Sequence, residues 1–231
     1  MDTPRQPAAL VAWSSGKDST WTLYRLQQTR TVQVVGLLTT VSRDTGRVPM
    51  HHVREELLDA QAAAVGLPLY KVPIPTPCSN QQYEEAMAAA LAHAVSAGIT
   101  AIAFGDLFLE DVRSYRERSL AETGITPIFP LWGTPTAALA QEMVTAGLRA
   151  YLTSIDPARL APSFIGRVFD AQFLADLPQG VDPCGEWGEF HTFVYQAPIF
   201  ARPLPLIPGE VLSHNGFLHL DLALDAGQEH V

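Results

Sequence analysis

The chain has 231 residues, 47% of them hydrophobic and 17% charged, enough apolar material to bury a core in one large domain or two modest ones. That balance excludes disorder except at the ends, Met1–Pro7 and Ala226–Val231. A formal charge of -9, with Lys17 and Lys71 the only lysines, excludes a broad electrostatic footprint for a polyanion, so no nucleic-acid partner is expected.

Beyond the acidic Asp2, the short apolar run Ala8 to Trp13 is neither a signal peptide nor a membrane span, and a cytoplasmic location with no membrane partner is expected. The run reads as a buried strand. A Ser/Gly loop follows, then a helix from Asp18 to Gln28 with Trp21, Leu23, Tyr24 and Leu26 at helical spacings. Val32 to Val41 predicts a second strand, Val53 to Val65 a helix closed by Gly66, and Leu67 to Val72 a third strand. Pro73 to Pro77 must be extended; Ser79 or Asn80 then caps a helix from Gln81 to Ala97, which Gly98 ends. Cys78 lies in this region and Cys184 far beyond it, with no C-x-x-C pair, so both read as free thiols.

Ile99 to Phe104 predicts a fourth strand and Leu107 to Glu122 a charged helix. Strands alternating with helices make βαβ units, which connect right-handedly into a parallel sheet with helices on both faces. Prolines break the texture past Pro127, and a smaller α+β domain is expected to begin near Pro130, dividing the chain into 1–129 and 130–231. In it, Thr134 and Pro135 open a helix reaching Gly147, Leu148 to Ser154 is a strand, and Ile165 to Leu177 is a helix before the loop Pro178 to Gly188. Phe190 to Tyr195 and the alternating Phe217 to Leu224 read as β.

The loop Ser14-Ser15-Gly16-Lys17-Asp18-Ser19 carries the clearest chemistry. Between a buried strand and a helix N-terminus, unpaired backbone N–H groups and the helix dipole converge on one spot that favours negative charge. Phosphate is the natural occupant. The serines add hydroxyl donors, Gly16 permits close approach, Lys17 brings a mobile positive charge, and Asp18 can hold magnesium. The alternative is an ordinary, well-capped βα turn.

With these residues in view, the chain resembles the PP-loop ATP pyrophosphatases, whose signature is S-G-G-x-D-S, and within them the diphthine-ammonia ligase family. The resemblance runs over nearly the whole chain: Gly105-Asp106, Tyr115-Arg116-Glu117-Arg118, Pro130-Leu131-Trp132, Phe164-Ile165-Gly166-Arg167, and the ten-residue string Cys184 to Phe193, the most specific of them. Two positions depart from it. Ser15 stands at the family's usual first glycine, and Trp187 puts a bulky ring where a smaller or more polar residue is expected. The resemblance implies an adenine nucleotide alpha hydrolase-like (HUP-type) domain followed by a substrate domain, with ATP and magnesium as cofactors. It further implies that ammonia is joined to the carboxylate of diphthine on an elongation factor.

Other residues are weighed beside the loop. Asp106, after Gly105 at the end of a strand, lies where open parallel sheets gather ligands, or else caps the next helix. Arg113, Arg116 and Arg118 offer forks for phosphate or carboxylate, but Arg113 and Glu117 also form an ordinary i,i+4 pair, so Arg116 is the substrate-binding choice. Glu186, Glu189 and His191 fall on a glycine-bearing loop entering a strand and suit acid/base work or ammonia positioning; if the strand starts near Glu189, that residue and His191 share a face. A zinc site of Cys184, Glu189 and His191 lacks a fourth ligand. His51 and His52 read as loop histidines.

The expected activity is an ATP-dependent amide ligase that adenylates a carboxylate, releases pyrophosphate and transfers the acyl group to free ammonia. Lys17, Asp18, Glu186, Glu189 and His191 form its catalytic set. The alternatives are a nucleotide-binding regulator without chemistry and a PP-loop ligase for another acceptor, tRNA thiolation among them. A homodimer is left open.

Overall fold

The computed structural model describes residues 6–49, 51–225 and 227, so most of the ends expected to be ragged lie outside the described residues. The first half is a five-stranded parallel sheet. Its strands are β1 (Ala8–Ala12), β2 (Gln33–Ser42), β3 (Leu69–Ile74), β4 (Ala101–Ala103) and β5 (Thr126–Ile128), in the order β3-β2-β1-β4-β5. Helices α1 (Lys17–Thr29), α2 (Glu55–Val65), α3 (Asn80–Ser96) and α4 (Glu110–Leu120) connect them. Adjacent strand residues feed opposite faces: Leu10, Leu38 and Ile102 join Leu91, Ala94 and Leu120 in one core, whereas Val11, Leu37 and Ala103 join Trp21, Leu23 and Leu57 in the other. This is the α/β, HUP-like architecture expected.

Local signals place the helix ends. Ser79 and Gln82 form a reciprocal capping box at α3, and Gly66, at φ +75°, closes α2. The strand β5 is not foreseen, because Pro127 sits at its centre; an edge strand tolerates a proline that an inner strand would not.

The second sheet is antiparallel. After α5 (Thr136–Thr145) come β6 (Arg149–Ile155), α6 (Ala171–Asp176), β7 (Phe190–Gln196), β8 (Leu206–His214) and β9 (Phe217–Leu224), ordered β7-β6-β9-β8. The helix expected over Ile165 to Leu177 is a correction. Only Ala171–Asp176 is α-helical, behind a 3-10 turn at Pro162–Phe164, because the stretch between them is spent on pairing with β6. There Gly166 takes φ +78°, Val168 bridges Tyr151, and Phe169 N–H donates to Ala150 at 2.7 Å. Strand β8 also escapes sequence reading: it is an exposed edge carrying Pro208 and Gly209.

One apolar core runs from Val11 through Leu57 and Leu139 to Phe190 and Leu222, so the two sheets share an interior. A polar clasp adds to it: Asp221 of β9 accepts from Arg47 at 2.9 Å and from Arg54 on the segment entering α2. Hydrogen bonds from Arg54 above all, and from Arg47, hold the Asp221 carboxyl down at about 2 from its ordinary 3.8. A depressed acid stabilises the fold above its unfolded value and loses that contribution as pH falls through the folded one. Melting temperature should therefore drop between pH 3.8 and about 2, and Asp221→Asn should flatten that part of the profile; an unchanged slope would show that the clasp contributes nothing.

Candidate active site

The loop after β1 turns into α1 with Ser15 at φ +71° and fully buried. A non-glycine residue in that region costs about 1–2 kcal/mol, which explains the glycine of the signature at this position. Gly16 is crowded rather than twisted. A Cβ there would meet the carbonyl oxygen of Thr192 at 3.2 Å, because β7 runs against the loop.

That contact is built from several bonds. Lys17 N–H donates to Thr192 Oγ1 at 3.1 Å, and Val194 N–H donates to Ser15 O at 3.0 Å. Gln61, fully buried on α2, accepts from Trp13 Nε1 at 2.8 Å and donates to Ser15 O at 3.0 Å and Val194 O at 2.7 Å. A glutamine amide has two donors and an acceptor, and here all of that capacity ties loop, helix and strand together. Only a polar residue on an apolar helix face hinted at this in the sequence.

Loop and string therefore meet in one site, although some 170 residues separate them. The Lys17 ammonium is 2.8 Å from Asp18 Oδ2 and donates to the carbonyl of Cys184. Burial works against its charge, but Asp18 first, then Cys184 and Glu186, outweigh that, and its pKa is raised. Asp18 Oδ1 and Asp106 Oδ2 are buried without a hydrogen-bond partner among the described residues. Arg116 Nε stands 3.7 Å from Asp106, too far for a hydrogen bond, with its guanidinium over the Phe104 ring at 5.0 Å. Burial raises both carboxyls against the pull of Arg116 on Asp106 and of Lys17 on Asp18. Two unpaired buried carboxylate oxygens beside an anion-favouring loop fit magnesium, which takes one or two carboxylates and fills its shell with phosphate oxygens and water.

All this lines a cavity of about 1350 Å³ with Ser14, Gly16, Lys17, Asp18 and Ser19 along one wall and Gly105, Asp106 and Arg116 along another. Its volume suits a nucleotide with a second reactant beside it. Glu186 reaches in from the string: its Oε1 accepts from Leu107 N–H at 2.9 Å, and burial, foremost, lifts its carboxyl to about 7. His191 also lines the cavity, held down at about 4 by burial and then by Lys17.

Glu189 does not join them. It is 3% exposed and faces away from the cavity, accepting Asp182 N–H at 3.1 Å and Trp187 N–H at 3.0 Å, so its carboxylate braces the loop. Strand β7 starts only at Phe190, and the shared face expected for Glu189 and His191 does not arise. Trp187 is 57% exposed and packs on Phe108 with ring centroids 5.3 Å apart. Arg113 makes its i,i+4 pair with Glu117 at 2.8 Å and lies over Phe129 and Trp132. His51, read above as a loop histidine, lines the cavity against His191, with ring centroids 4.6 Å apart.

A parallel α/β sheet with a small-residue loop at the carboxyl end of its first strand, followed by an antiparallel sheet that packs against that loop, defines an α/β HUP-like domain with a smaller second part. Residues 7–127 match the diphthamide synthase N-terminal domain and residues 135–224 the diphthamide synthase C-terminal domain, and the chain belongs to that family. Among curated relatives, it is 25% identical over 180 residues to "Diphthine--ammonia ligase" of Bos taurus, a match covering 71% of this chain and 66% of that protein. The Danio rerio protein of the same name is 26% identical over 178 residues, covering 71% of this chain and 70% of its own. The Homo sapiens one is 24% identical over 180 residues, with 71% and 66% covered. The match thus spans about two thirds of the length of these relatives. Among the described residues no helix is long and apolar enough to cross a membrane.

Proposed function

We propose that the chain is a cytoplasmic ATP-dependent amide ligase that adenylates a diphthine-like carboxylate, releases pyrophosphate and transfers the acyl group to ammonia. The observation that carries this reading is the junction of the two motifs: Lys17 of the phosphate loop donates to Cys184 at the head of the family string. The names of the relatives supply ammonia and diphthine as the reactants to test. Residues 1–129 hold the nucleotide and lend Arg116 to the acceptor, and residues 130–231 supply the rest of the acceptor side.

In this mechanism Ser14, Gly16 and Ser19 on the cavity wall face the phosphates, whereas Ser15, fully buried behind them, shapes the loop and does not reach the cavity; Lys17 balances the charge that grows on pyrophosphate as it leaves. Asp18 and Asp106 would hold magnesium, which screens the phosphate charge so that an anion can approach. The acceptor carboxylate, oriented by Arg116, attacks the α-phosphorus; a P–O bond forms and the bond to pyrophosphate breaks. Ammonia then attacks the acyl carbon, a C–N bond replaces the C–O bond to AMP, and a proton is released. Glu186, with a pKa near neutrality, is matched to carry that proton. His191 orients ammonia. Glu189 acts through the loop it braces.

The test is product analysis on the purified chain with ATP, magnesium, ammonium chloride and a diphthine-bearing elongation factor. AMP and pyrophosphate should form in step with amide. ADP and phosphate from homogeneous protein would overturn the assignment, and nucleotide binding without any turnover would favour the regulator.

A further inference from the structure

Five of the seven histidines in the chain meet along one seam, where the segment before α2 packs on the antiparallel sheet. The rings of His51 and His191 meet at a tilt of 42° at the cavity wall. His52 lies 4.8 Å from His219 and 5.9 Å from His214. Strand register joins the two groups: Ser154 on β6 pairs with His191 on β7 to one side and with His219 on β9 to the other. Partners in register share a face, so His191, Ser154 and His219 form one row across three strands.

Two of the three members are buried, and the row is incompletely bonded. Ser154 is fully buried and His219 is 5% exposed, yet Ser154 Oγ, His219 Nδ1 and His51 Nδ1 have no hydrogen-bond partner among the described residues. Buried polar atoms are satisfied in the large majority of cases, and two in the row with a third on His51 packed against it mark the place of a small polar ligand. The surroundings select its charge. Burial chiefly lowers all three imidazoles, helped by His191 and then Lys17 at His51, by Lys17 at His191, and by His214 and then Arg47 at His219, where a hydrogen bond to the His214 backbone pulls the other way. Asp221, the carboxylate at the outer end, is already held by Arg47 and Arg54. Neutral imidazoles and a hydroxyl both donate and accept, so the row complements a small neutral molecule that does both and disfavours a cation.

We propose that His51, His191, Ser154 and His219 form the ammonia site and hand the nucleophile to the cavity. The inference rests on ammonia being the nitrogen donor of the reading above. In neutral water that donor is ammonium, which has no lone pair with which to attack. Passage into the row removes one proton, NH4+ giving NH3 and H+, and the proton leaves to solvent past His52 and the exposed His214. The NH3 lone pair then forms the C–N bond as the C–O bond to AMP breaks, and the second proton departs by way of Glu186.

Ammonium chloride is titrated at mildly alkaline pH into the full chain while the histidine ring nitrogens are followed by long-range proton–nitrogen NMR. Potassium chloride, a cation of similar size that cannot donate hydrogen bonds, is the control. The ring signals of His51, His191 and His219 should shift saturably with ammonium and not with potassium. Ser154→Ala and His51→Phe, the latter keeping a ring against His191, should each weaken the response about fivefold or more. Equal shifts with both salts, or a response surviving unchanged in both variants, overturns the site; should His51→Phe not fold, Ser154→Ala decides alone. No acceptor is needed, so this result stands apart from the ligase reading. Amide formation without an ammonium-specific shift refutes the row and keeps the ligase, whereas the shift without AMP release does the reverse.

Discussion

Asp18→Asn will lower magnesium-dependent release of AMP and pyrophosphate by roughly a hundredfold or more, the usual cost of losing a preorganised charge at a transition state. The substitution keeps shape and removes charge. In the folded protein one Asp18 oxygen engages Lys17 at 2.8 Å while the other is buried with no partner among the described residues, so only one of the two has a structural duty. An asparagine oxygen can still accept from Lys17, and circular dichroism should be unchanged. On the proposed role of Asp18 as a magnesium ligand, raising magnesium should restore part of the rate. Wild-type turnover in the variant would reduce Asp18 to a helix-end residue.

Gly105→Ala is expected to damage the site without touching any reacting group. A Cβ on Gly105 would lie 2.9 Å from the carbonyl carbon of Asp18 and 3.1 Å from its oxygen. Those are backbone atoms at the start of α1, so no side-chain rotation relieves the clash. Either α1 moves away from β4 or β4 shifts in the sheet, at a cost of about 1–3 kcal/mol in stability. A displacement of about 1 Å at Asp18 suffices to cost on the order of a hundredfold in rate. Melting, nucleotide affinity and turnover on one preparation separate the effects: a lower melting point together with weakened ATP binding is expected, and wild-type values for both would mean that the strand and helix ends yield freely. The glycine is required here for space, since its φ is not in the left-handed region.

How much of this was legible in the residues differs by element. The parallel half was read from local signals: apolar runs of strand length, Gly66 as a helix stop, Ser79 or Asn80 as a cap, and a small-residue loop between strand and helix. Each depends on interactions within a few residues, so the sequence carries it. The failures share a cause. Thr126–Ile128 and Leu206–His214 are edge strands, where proline and glycine are tolerated because one side of the backbone has no strand to pair with, and the usual breakers mislead. Residues between Ile165 and Ala171 have a helix-like composition but give their backbone bonds to β6, a partner far away in the chain.

The site divides in the same way. The types of residue able to hold phosphate, metal and a proton were visible in the Ser14 to Ser19 loop and the Cys184 to Phe193 string, because chemistry of that kind needs particular side chains in a short span. Their common location was not, nor were the burial that lifts Glu186 toward neutrality, the turn away from the cavity that makes Glu189 a buried brace, and the register that sets Ser154 between His191 and His219. Those depend on which strands lie side by side and on how much water the packing removes, and both are properties of contacts between residues that the chain keeps far apart until it folds.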